Sequence, residues 1–226
     1  MILCVVLIHA VFDLTDLFNI PLQPPAWFYF IQDYGGTLFV ILSGLSATLG
    51  SKSLRRGIIV FLAGMGITLV TSVLAVVYPE SFSTLVIRFG ILHLLGVCMM
   101  LYPLFRKIPS WLLLLLGALM IGIGFWFDTL CMDFPLGFVL GIRPPQFSSG
   151  DYFPLFPYLG WFLLGIPLCR WLYPNKKTRF PSVNPQKQPV HFLSWCGRQS
   201  IYIYLFSQPI TVGILYGIVW LLNLNQ

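Results

Sequence analysis

The chain has 226 residues, 58% of them hydrophobic and 9% charged, with a formal net charge of +6 and a mean hydropathy of +0.85. A soluble domain carries about 25% charged residues, so the sequence has too little polar surface for a soluble protein, and its several long apolar runs exclude a single anchor. It reads as an all-α, polytopic membrane helix bundle forming one domain over 1–226, with membrane lipid rather than nucleic acid as its surroundings.

A helix crossing ~30 Å of hydrocarbon needs ~20 residues. Seven candidate spans result, near 2–19, 26–49, 55–78, 85–104, 110–127, 152–173 and 198–222. The first is short, because only Ile2–Leu14 is strongly apolar and Met1 opens directly into it. Either this helix is tucked inside the bundle, or the natural start lies upstream and the N-terminus is clipped.

The cations set an expected orientation. Lys52, Arg55, Arg56, Arg106, Lys107, Arg170, Lys176, Lys177, Arg179, Lys187 and Arg198 fall in or beside three loops on one side. The positive-inside rule makes that side cytoplasmic. Asp13, Asp16, Asp33, Glu80, Asp128, Asp133 and Asp151 lie at or toward the other. The N-terminus is then inside and the C-terminus outside, in a multi-pass membrane protein. Cys4, Cys98, Cys131, Cys169 and Cys196 are scattered, without the spacing of a metal site, and read as core residues.

The first span carries His9 and Asp13, four residues apart and on one helical face. An aspartate there can orient the imidazole and raise its basicity, as a general base requires. The plainer alternative is a polar pair joining helices.

In the second span Gln32, Asp33, Gly35 and Gly36 interrupt the apolar run, and Ser43, Gly44 and Ser46 offer a close-packing face. Gly35–Gly36 suggests local unwinding or a tight crossing, and Asp33 is a functional candidate; otherwise the helix starts at Thr37 with Asp33 in water. In the fourth span, LVIRFGILHLLG, Arg88 either serves the site or snorkels to headgroups. His93 follows five residues later and is expected to face the interior. The two do not share a helical face, whereas Phe89 and His93 do.

The outer loop 128–151 is long, apolar and rich in Pro and Gly, and is expected to fold back as a lid or re-entrant segment. Asp151 stands where it would N-cap the sixth span. The inner stretch 174–197 is basic and Pro-rich, a cytoplasmic linker lying against anionic lipid, with His191 solvated or interfacial. In the last span Pro209 frees a carbonyl and bends the helix, which can turn Ser207 and Gln208 into a cavity.

Five stretches in order, HAVFDL (9–14), FVILSGLSATL, RFGILHLLG (88–96), DYFPLFPYLGWFLLG (151–165) and GRQSIYIYLFSQPI (197–210), resemble the bacterial relatives of the heparan-α-glucosaminide N-acetyltransferase catalytic domain. The resemblance covers nearly the whole chain. It implies transfer of an acetyl or other short acyl group from acyl-CoA to a sugar hydroxyl or amine of a cell-envelope glycan, with acetyl-CoA as co-substrate and no metal. Members usually open with an Asp…Arg-Gly stretch, absent here, and carry His-Gln-Pro where this chain has Ser207-Gln208-Pro209. The lysosomal enzyme's catalytic histidine lies after its first span, so its role does not pass to His9 by alignment.

The resulting expectation is a polar, outward-opening cavity. His9, Asp13 and His93 would be its catalytic groups, and Asp33, Arg88, Ser207, Gln208 and Asp151 its lining. A small transporter or proton relay built on the same groups, or an inactive accessory membrane protein, are the alternatives; a homo-oligomer is compatible with either.

Overall fold

The computed structural model describes residues 2–17, 21, 23–79, 84–177, 179 and 188–223. Among these the regular structure is helical, with no strand. In chain order the helices are α1 (Ile2–Phe12), which widens into a π-helical turn at Asp13–Leu17, α2 (Ala26–Leu49), α3 (Ser53–Val77), α4 (Ile91–Phe105) and α5 (Ser110–Asp128). They continue with the short α6 (Gly137–Leu140), α7 (Leu155–Leu172), α8 (Gln188–Arg198) and α9 (Ser200–Asn223).

Among the described residues three helices, α3, α5 and α7, are long and apolar enough to cross a membrane. Stretches of α1, α4 and α9 are apolar but shorter. Of the seven expected spans, three are matched by helices with the length and apolarity of a span. The protein is an integral membrane protein.

The chain forms two compact units, Met1–Gly36 with Phe180–Gln226, and Thr37–Arg179. In the first, α1 packs on α9, and both touch α8. In the second, α3 lies along α4 and α5 along α7. The core of this unit belongs to α4 and α7: Leu94, Cys98, Phe162, Leu163 and Ile166 are fully buried. By contrast α3 buries Gly57 and Gly64 and exposes Leu62, Leu69 and Val76, as a helix facing hydrocarbon does.

Close approach explains those buried glycines. A Cβ on Gly57 would come within 2.8 Å of the Gly96 carbonyl, and one on Gly64 within 3.0 Å of His93 Nδ1. On α2 the packed face is Val40, Ser43, Gly44 and Ala47, with Gly44 against the Phe162 and Gly165 backbone. Ser46, expected on that face, is exposed, because it lies about 100° round the helix from Ala47. The helix also runs unbroken through Gly35–Gly36.

The fourth span departs most from expectation. Helix α4 begins at Ile91, and residues 85–90 are extended beside 149–153. Gly150 N–H donates to Val86 O (3.2 Å), Phe153 N–H to Phe89 O (3.0 Å) and Arg88 N–H to Ser149 Oγ (3.2 Å). Arg88 is therefore not on the helix of His93, and the helical offset expected between them does not apply.

At the other end of α4, Arg170 of α7 gathers the turn into α5. Its Nη1 donates to Ile108 O (2.7 Å) and Ser110 Oγ (3.1 Å), and its Nη2 to Arg106 O (2.8 Å). A cation on the last carbonyls of a helix also complements the helix dipole. Arg170→Met keeps the apolar stem and removes three hydrogen bonds. It should cost about 1–3 kcal/mol, read as a lower midpoint in detergent unfolding.

Candidate active site

The second unit builds a polar cluster at the N-terminus of α4. A helix start leaves backbone N–H groups without intrahelical acceptors, and here side chains supply two of them. His93, in the third helical position, accepts Gly90 N–H at Nδ1 (3.2 Å). Asp151 Oδ2 accepts Ile91 N–H (2.9 Å) from sixty residues away. Asp151 thus caps α4 rather than α7, whose N-cap position is held by Pro154.

The Gly90 bond assigns the imidazole tautomer. With Nδ1 accepting, the proton sits on Nε2, which donates to Thr68 Oγ1 (3.3 Å). Thr68 in turn donates to Ile87 O (2.6 Å). His93 is 2% exposed, with Phe61 edge-on at 5.6 Å and Phe89 tilted over it at 5.5 Å. The helical face expected to join Phe89 to His93 does not exist, because Phe89 precedes the helix; the two rings meet across the bend instead.

Thr68 is the residue that sequence reasoning missed. The two threonines of GITLVTS signal nothing until α3 is laid along α4, where Thr68 meets His93. Thr68→Val is expected to strand both the Nε2–H and the Ile87 carbonyl, at about 1–3 kcal/mol, while Thr68→Ser keeps both bonds. Unfolding midpoints of the pair distinguish a hydrogen-bonding role from a packing one.

Arg88 and the 128–151 loop form a neighbouring layer. The Arg88 guanidinium lies 5.8 Å over the Phe147 ring. Phe147 stacks on Phe138 at 5.6 Å and meets Tyr152 at 4.8 Å. Tyr152 donates to Phe138 O (2.7 Å). Arg143, the other cation outside the basic loops, pairs with Asp128. Both partners are well exposed, so the pair contributes little to stability.

The first unit holds His9, Asp13, Asp33, Ser207 and Gln208. Asp13, at the start of the π-helical turn, is 3% exposed, and His9 is half-buried. The His9 ring meets Tyr204 of α9 edge-on at 6.0 Å. One turn further along α9, Ser207 Oγ donates to Tyr204 O (3.0 Å), a bond within its own helix. Asp33 is exposed on α2, and the Gln208 side chain lies outside the described residues. The structure thus joins His93 with Asp151 through one helix terminus, and His9 with the helix of Ser207.

Across this whole arrangement a family model described as "Heparan-alpha-glucosaminide N-acetyltransferase, catalytic" matches residues 1–209. The chain belongs to that family. No curated protein and no solved structure matches it. The heparan-α-glucosaminide N-acetyltransferase match takes in α1 with His9 and Asp13, the capped start of α4, and the Ser207-Gln208-Pro209 stretch at its end. Membership makes the protein membrane acyltransferase-like. Among the described residues no three His, Cys, Asp or Glu side chains cluster as metal ligands do.

Proposed function

We propose that the protein transfers an acetyl or other short acyl group from acyl-CoA to a sugar hydroxyl or amine of a cell-envelope glycan, at a bacterial inner membrane. The observation that carries this reading is the buried carboxylate of Asp13 on the same helix as His9, in a chain of this family. A carboxylate in such surroundings is costly unless it serves something.

In the proposed reaction His9, oriented by Asp13, takes the proton from the acceptor's hydroxyl or amine. The freed lone pair attacks the thioester carbonyl, giving a tetrahedral oxyanion. Collapse breaks the C–S bond, and the CoA thiolate takes the proton back from the imidazolium. A positioned N–H donor to that oxyanion would contribute about 3–4 kcal/mol. Asp33 and Ser207, of the same unit as His9, would line the acceptor side. The turns carrying Lys52, Arg106 and Lys177 would face the cytoplasm and meet the donor's phosphates.

The test is transfer of labelled acetyl from acetyl-CoA, supplied on the basic-loop side of proteoliposomes, to a sugar amine or hydroxyl on the other side. Label on the acceptor is the expected result. Counterflow of a solute without acetyl-CoA, and no label on any acceptor, would replace the enzyme with a transporter.

A further inference from the structure

Helix α8 is two-sided. At about 100° per residue, Trp195, Phe192, Cys196 and Leu193 follow one another round one side, and Ser194, Arg198 and His191 round the other. Cys196, in the middle of the apolar arc, is 3% exposed, in a unit where α8 touches α1 and α9. The two shoulders of that arc are uncovered: Phe192, Leu193 and Trp195 are 54%, 58% and 47% exposed. The Phe192 and Trp195 rings stack at 6.5 Å, and with Gln188 and His191 they line an open groove of about 360 Å³. On the polar side Arg198 donates to Ser194 Oγ (3.2 Å).

Two further observations say what covers those shoulders. Helix α9 starts at Ser200, two residues after α8 ends, and its first stretch is apolar. If α9 enters the bilayer, α8 is tied to the level of the membrane surface. The charge is also one-signed, because the chain has no Asp or Glu after Asp151, while Lys176, Lys177, Arg179, Lys187 and Arg198 lie before or at the end of α8. Aromatic and aliphatic side chains on one arc, with Arg198 on the other and a basic stretch preceding the helix in sequence, are the pattern of a helix lying in a lipid headgroup layer.

We propose that α8 is an interfacial helix, seated in the headgroups of an anionic leaflet with Phe192, Leu193 and Trp195 toward the acyl chains. An acidic protein partner would satisfy the cations but not the position of α8 beside an apolar helix.

The test uses the full chain in vesicles of equal phosphatidylcholine and phosphatidylglycerol, with benzoylphenylalanine at position 192, 194 or 195, and mass spectrometry of the photoproducts. Lipid adducts are expected at 192 and 195, at least about fivefold fewer at 194, and with phosphatidylglycerol over phosphatidylcholine by about threefold. Lys187→Glu with Arg198→Glu should return that ratio to the vesicle's own composition. So should ~0.5 M salt with the unaltered charges, which screens the attraction without a substitution. Crosslinks to protein at 192 and 195, equal lipid labelling at 194, or no preference for the anionic lipid would each overturn the proposal.

Discussion

Alanine at His9 is expected to lower acyl transfer in proteoliposomes by about two to four orders of magnitude, the usual contribution of a positioned general base. His9 meets the Tyr204 ring edge-on and is half-buried, so its removal should leave the fold intact. Elution from size exclusion and helical content are expected to match the unaltered protein. Asp13→Asn separates orientation from basicity. It keeps the side-chain shape on the first turn after α1 but removes the charge that would stabilise the imidazolium. Its activity should fall less than that of His9→Ala, and the double variant should be no worse than His9→Ala alone, since the two act as one unit. Undiminished transfer by His9→Ala would take the base away from α1 and leave the reaction without its proposed proton acceptor.

The second large effect belongs to Gly90. Its backbone, φ −91° and ψ −175°, is ordinary extended geometry that alanine adopts freely. The obstacle is space: a Cβ there would collide with the Asp151 carboxylate and lie 2.9 Å from Ile87 Cγ2. Gly90→Ala must therefore turn Asp151 away, which uncaps Ile91 and disturbs the paired 85–90 and 149–153 segments. Loss of a cap at ~1 kcal/mol and overpacking at ~1–3 kcal/mol give an expected destabilisation of about 3 kcal/mol. Gly90→Ala with Asp151→Ala restores the room but not the cap, and should fall between the single variant and the unaltered protein. Detergent unfolding midpoints read both. A Gly90→Ala protein as stable as its parent would mean that Asp151 is not the group held there.

Much of this architecture was legible in the residues. Long apolar runs gave the helices, because in hydrocarbon a backbone must satisfy its own hydrogen bonds. The buried state of His93 followed from the cost of a polar ring in lipid. The beginning of α4 was not legible, because LVIRFG is as apolar as a helix and only the partner segment 149–153 makes it extended. Asp151 was read as a cap, correctly in chemistry but on the wrong helix: a local rule assigned it to its neighbours, and tertiary structure gave it to Ile91. The pairing of Arg143 with Asp128 likewise joins two points of one loop, fifteen residues apart, that no local rule connects. Thr68 was invisible for the reason common to all such cases. A hydroxyl's worth depends on what stands opposite, and α3 meets α4 only in three dimensions.

The capping of α4 also has a consequence in time. Ile91 is synthesised sixty residues before the aspartate that completes its helix start. At ~5–20 residues per second a ribosome takes roughly 3–12 s to cover that interval. Throughout it the start of the newborn helix lacks Asp151, and the 85–90 segment before it lacks Ser149, Gly150 and Phe153, while Thr68 has already emerged to receive His93. A nascent chain arrested before residue 149 should therefore present the 85–90 edge to proteases or chaperones, and one arrested well beyond 153 should not.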